Sequence, residues 1–179
     1  MKNLFILFTI ILGLGVASAQ DKKPTKEETV DYIKNTIVNS TYNRTESGAS
    51  YYRDFKKNYI DVSLVGCLLK ITYTSYSSME RKGDFGVRKT NDIVEIPVDK
   101  IEKIILEDGN LKFFVFQNKK SINTESKGEL RRDGISKIDD YENVSDYTLY
   151  ANIKDIDKLI KALNHLRKLC NAPEPISFD

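Results

Sequence analysis

The sequence predicts a mainly β, α+β domain: a bent antiparallel sheet or small barrel, with an added N-terminal helix and a C-terminal capping helix. Three observations predict it. Between about residues 58 and 153, runs rich in β-branched and aromatic residues alternate with turn-forming residues. An Asp108-Gly109 pair separates two such runs, which is the strongest short-range hairpin signal. Apolar stripes at helical spacing stand before and after this β-rich body.

Residues 1–19, MKNLFILFTIILGLGVASA, have the form of an export signal. Lys2 gives the positive start and Leu4–Val16 the apolar run. Ala17-Ser18-Ala19 is an A-x-A cleavage site before Gln20. The run is too short to cross a hydrocarbon core of ~30 Å at about 1.5 Å per residue. Gln20, not a cysteine, follows the cut, which argues against a lipid anchor. The sequence thus places the protein in the periplasm or outside the cell, with no transmembrane segment in the mature chain. Residues 20–24 read as a flexible lead, and residues 25–179 as a single globular domain.

Thr25 and Glu28 form a capping box behind Pro24, and Val30, Ile33 and Ile37 share one face, so a helix is expected over 25–38. Asn39 to Ser50 is polar. Tyr59–Val65 and Cys67–Thr74 read as one strand bent at Gly66, or as two. Ser77–Asn91 reads as a polar loop. Asp92–Val98 alternates weakly and meets Pro97, which suits a sheet edge. Asp108-Gly109 favours a two-residue turn between Ile101–Glu107 and Asn110–Gln117, because both central residues need positive φ. Leu111–Phe116 is the most apolar run, so both its faces are expected to be covered. Residues 118–145 offer only weak strand signals, and Tyr147–Ile153 reads as the last strand. Asp155 suits the N-cap of a helix over 155–170 with the stripe Ile156, Leu159, Ile160, Leu163 and Leu166. Asn171 and Pro173 end it. The tally is six or seven strands.

Charge is balanced, with 28 Lys+Arg against 26 Asp+Glu, which argues against a nucleic-acid partner. Cys67 and Cys170 are the only cysteines, and both fall at inward positions of their elements. Export permits a bridge between them worth ~4 kcal/mol on the chain-entropy account; two separate buried thiols are the other reading. His165, the only histidine, has no partner at usable spacing and reads as a boundary residue. The acidic run Asp139–Asn143 lacks the alternating ligands and glycine of a calcium loop. The ten tyrosines are ordinary strand formers or, on a sheet face, a platform for a glycan or peptide. No catalytic, metal-binding or cofactor motif stands out, so no cofactor is expected and the chain reads as a non-enzyme.

The order of strands followed by one closing helix, carried by YTLYANIKDIDKLIKALNHLRKLC, resembles pleckstrin-homology-like (PH/GRAM-like) domains over roughly residues 55–170. That resemblance implies a binding module for a protein, a lipid head group or an envelope component. It also implies a role for basic inter-strand loops, which makes Arg81, Lys82, Arg88 and Lys89, around Gly83 and Gly86, a candidate anion-binding loop. The alternative is a lipocalin-like carrier of a small apolar ligand, which requires an internal cavity.

Overall fold

The computed structural model describes residues 23–81 and 84–174. The expected signal segment, most of the expected lead and Lys82-Gly83 lie outside them. Helix α1 (Lys26–Val38) opens with the capping box. Glu28 N–H donates to Thr25 Oγ1 at 3.2 Å, and Thr25 N–H donates to Glu28 Oε2 at 2.7 Å. Nine strands follow among the described residues: β1 (Thr41–Gly48), β2 (Tyr51–Val65), β3 (Leu68–Arg81), β4 (Asp84–Pro97), β5 (Ile101–Glu107), β6 (Asn110–Val115), β7 (Ile122–Arg131), β8 (Ile135–Val144) and β9 (Asp146–Leu149). Helix α2 (Ile156–Leu169) closes the chain.

All pairing is antiparallel. One sheet has the order β1-β2-β3-β4-β7-β8 and the other β5-β6-β9. No ladder joins the two, so the bent-sheet form of the expected fold is present and the barrel form is not. The bend in β2 is a bulge at Tyr59/Asp61, where Ile60 has no partner in the ladder. Gly66, with φ 64°, makes the turn into β3, and Asp108 (φ 50°) with Gly109 (φ 76°) makes the expected hairpin turn.

One core unites all layers. It joins Ile33 and Ile37 of α1, the inward residues of β2, β3 and β4, alternate residues of β6, and Leu159, Leu163 and Leu166 of α2. The β6 strand is covered on one face only. Leu111, Phe113 and Val115 are buried, while Phe114 lies half-exposed beneath the ammonium groups of Lys103 and Lys112. The sequence pattern overstated that burial because lysine stems do the shielding. Helix α1 packs along the end of β2 beyond Asn58, where β1 no longer pairs.

Four further expectations are corrected. Strands run from residue 41 to 149, not from about 58 to 153. Within the expected loop Ser77–Asn91, residues 77–81 and 84–91 are paired strand of β3 and β4. The 118–145 segment is mostly the β7–β8 hairpin. All three stretches are polar because they extend past the core, so backbone pairing forms them without a buried face. Finally, β4 is central and not an edge. Pro97 is accommodated there because the β4–β7 ladder has already ended at Glu95.

Helix α2 ends at a Schellman motif. Asn171 has φ 56°, Ala172 N–H donates to Arg167 O at 3.0 Å, and Asn171 N–H donates to Lys168 O at 3.1 Å. Asp155 sits at the N-cap position, but its side chain makes no capping bond. Cys67 and Cys170 are joined, with Cα atoms 5.7 Å apart, so the β2–β3 turn is bonded to the end of α2.

Candidate functional site: the overhanging half of the large sheet

The strands of the six-stranded sheet are longer than the core beneath them. Apolar burial stops at Tyr59 on β2, at Tyr73 on β3 and at Val94 on β4. Beyond that line a half-sheet projects, and the β1–β2 and β7–β8 turns and the Arg81↔Asp84 end of the β3–β4 ladder all lie at its tip.

A polar seam marks the line on the inner face. Asp92, buried in the middle of β4, accepts from Ser126 Oγ at 2.5 Å and from Thr90 Oγ1 at 3.0 Å, and Thr90 Oγ1 lies 2.6 Å from Ser75 Oγ. Lys57 reaches over the seam from β2, with its Nζ 4.7 Å from the Tyr73 ring centre and 4.9 Å from that of Tyr150. Burial pulls the Lys57 pKa down, and the nearby Asp92 carboxylate offsets part of that. Burial pushes the Tyr73 hydroxyl up to about 12 and moves Tyr59 and Tyr147 up as well. Sequence reading missed this seam. The signal was present: Asp92 alternates with Val94 and Ile96, so an acid falls on the core face of its strand.

The outer face of the overhang carries two side-chain rows. Strand register places Lys56, Tyr76, Lys89 and Glu129 side by side across β2, β3, β4 and β7. The next row is Asn58, Thr74, Asn91 and Lys127. Together they line a shallow groove of about 420 Å³. Lys56 and Lys89 each hold their ammonium 5.9 Å from the Tyr76 ring centre, and neither forms an ion pair among the described residues. Lys127 is bound to Glu125, and Glu129 to Arg131 at 3.1 Å. Gly128, between Lys127 and Glu129, lets β7 run close against β4. A Cβ there would stand 2.0 Å from the Lys89 carbonyl oxygen and 2.8 Å from Thr90 Cα, both backbone atoms.

Of the basic residues singled out in sequence, the described ones do not converge. Strand alternation sends Arg88 to the inner face and Lys89 to the outer. Arg88 pairs with Asp140 at 3.2 Å. Arg81 ends β3 in solvent, and Lys82 lies outside the described residues. His165 rests against α1, with Nε2 2.8 Å from the Pro24 carbonyl oxygen, in a boundary position. Asp139 and Asp140 point to opposite faces of β8 by the same alternation. Among the described residues no helix is long and apolar enough to cross a membrane.

No protein-family model, no curated protein and no solved structure matches this chain.

Proposed function

We propose that this is an exported, non-enzymatic binding module, and that its ligand is an anionic oligosaccharide of the cell envelope. The observation that carries the proposal is the outer face of the overhang. Among the described residues, two lysines without ion-pair partners flank Tyr76, beside Asn58, Asn91 and Thr74, on a sheet face that no described element covers. Ammonium groups attract carboxylate or phosphate substituents. The asparagine amides and the threonine hydroxyl suit sugar hydroxyls, and the tyrosine ring offers an apolar surface to a pyranose. Export rests on the leader Met1–Ala19, and an oxidised Cys67–Cys170 pair is compatible with it. The likeness to PH-like domains enters only through the order of elements, strands followed by one closing helix.

Titration calorimetry with oligogalacturonate, run against neutral dextran oligomers, tests this reading. The acidic oligomer is expected to bind, to weaken as salt rises, and to be lost in the Lys56→Ala, Lys89→Ala double variant. Equal binding of the neutral oligomer, or an unaltered double variant, overturns it.

A further inference from the structure

The opposite face of the overhang holds a second groove, of about 330 Å³, independent of the lysine face. Its floor is apolar. Phe55 of β2, Met79 of β3 and Leu130 of β7 all point inward beyond the polar seam, where they are cut off from the core. Gly86 leaves the floor open, since a Cβ there would have its nearest neighbour at 3.9 Å.

Three arginines rim the groove, and two are already neutralised. Arg88 pairs with Asp140, and Arg132 is held by Asp84. Arg53 differs. Its guanidinium stands 5.6 Å from the Tyr51 ring centre, makes no ion pair among the described residues, and keeps a buried Nε with no hydrogen-bond partner. A buried donor without an acceptor costs free energy, and an arriving anion would remove that cost.

We propose that this groove binds a free fatty acid, with its carboxylate on Arg53 and its alkyl chain along Phe55, Met79 and Leu130. The charge complementarity is one to one: a single guanidinium without an ion pair among the described residues at one end of an apolar trough, and a ligand with a single carboxylate at one end of an apolar chain. The planar guanidinium, lying beside the Tyr51 ring, presents the paired donors a carboxylate accepts. The chain enters from the tip of the sheet, so no enclosed cavity is required.

The test is an NMR titration of the purified protein with dodecanoate below its micelle concentration, repeated with dodecanol. Dodecanoate is expected to saturate at one equivalent and to shift the Phe55, Met79 and Leu130 signals. Dodecanol and the Arg53→Gln variant should each bind about tenfold more weakly. Gly86→Leu fills the trough and should abolish binding, while an unchanged melting temperature shows that the fold is kept. Lys56→Ala, Lys89→Ala should bind dodecanoate as the unaltered protein does, which separates this site from the outer face. Non-saturable uptake, equal affinity for dodecanol, or unaltered binding by Arg53→Gln and Gly86→Leu overturns the proposal. Tighter binding of a peptide ending in a leucine carboxylate assigns the groove to peptide C-termini and overturns it equally.

Discussion

Lys57, Asp92 and the tyrosines beside them stand where the core gives way to the overhang, and each is there at some energetic cost. Tyr59 and Tyr73 are buried as neutral phenols, Tyr147 is half-buried with its hydroxyl inside, and the hydroxyl of Tyr59 donates to the Tyr150 carbonyl at 2.7 Å. Their pKa values in the folded state lie above the unfolded value of about 10. The stability they provide is therefore fully present below about pH 10 and is lost as pH rises through the folded values. Lys57 has the opposite sign. Its folded pKa is lowered, so its cost at neutral pH is relieved as pH climbs toward about 10.4. Three phenols outweigh one amine. Urea unfolding across a pH series should show stability falling above pH ~10 by more than about 1.4 kcal/mol per pH unit. Tyr73→Phe should flatten that fall by about 1.4 kcal/mol per pH unit up to about pH 12. Complete tyrosine ionisation near pH 10, with the circular dichroism unchanged, would contradict the burial assigned to these residues.

At the scale of elements, the β7–β8 hairpin is held chiefly by the β4–β7 ladder, from Val87↔Arg131 to Glu95↔Asn123. Few of its side chains reach the core: Ile122 is buried, and Val144 packs against the cluster. Gly128 sits mid-ladder, close against the backbone of β4 at Lys89 and Thr90. Gly128→Ala must separate the strands or bend them. It should lower stability by about 1–3 kcal/mol, and it should disturb the groove that Lys89 and Lys127 share. A urea midpoint within error of the unaltered protein would show that the strands do not approach so closely. The elements most legible in sequence are those with local signals: the capping box of α1, the Asp-Gly turn, and the stripe and C-terminal glycine-like Asn171 of α2. The least legible are β1 and β7–β8. Their residues are polar on both faces, so no period-2 apolar pattern announces them. Only their ladders with β2 and β4 make them strands.

Over the whole molecule, the disulfide joins residues 103 apart in sequence and ties the β2–β3 turn to the last turn of α2. Lys26 of α1 adds a contact at the same place, with its ammonium 2.6 Å from the Gly66 carbonyl and 3.4 Å from Cys67 Sγ. The first helix, the large sheet and the last helix therefore meet at one corner, opposite the overhang. A loop of this length constrains the unfolded chain by about 4–5 kcal/mol on the chain-entropy account. The Cys67→Ser, Cys170→Ser variant, or the reduced protein, should be less stable by that order in denaturant unfolding. A change below about 1 kcal/mol would mean that the corner holds without the covalent link. Because the corner and the overhang lie at opposite ends of the strands, both proposed grooves should survive reduction while the protein remains folded.

The sequence by itself determined the two helices, the N-terminal cap of the first and the C-terminal cap of the second, the β-rich body between them, the hairpin at Asp108-Gly109, and the inward position of both cysteines. Each of these depends on residues near one another in the chain. Tertiary structure decided how many strands there are, that the sheets stay open, that β4 is central, and that Cys67 meets Cys170. It also decided the candidate sites. Lys56, Tyr76, Lys89 and Lys127 come from four strands, and so do Arg53, Met79, Gly86 and Leu130. Register alone makes them neighbours, and register is set by long-range pairing that no local pattern encodes.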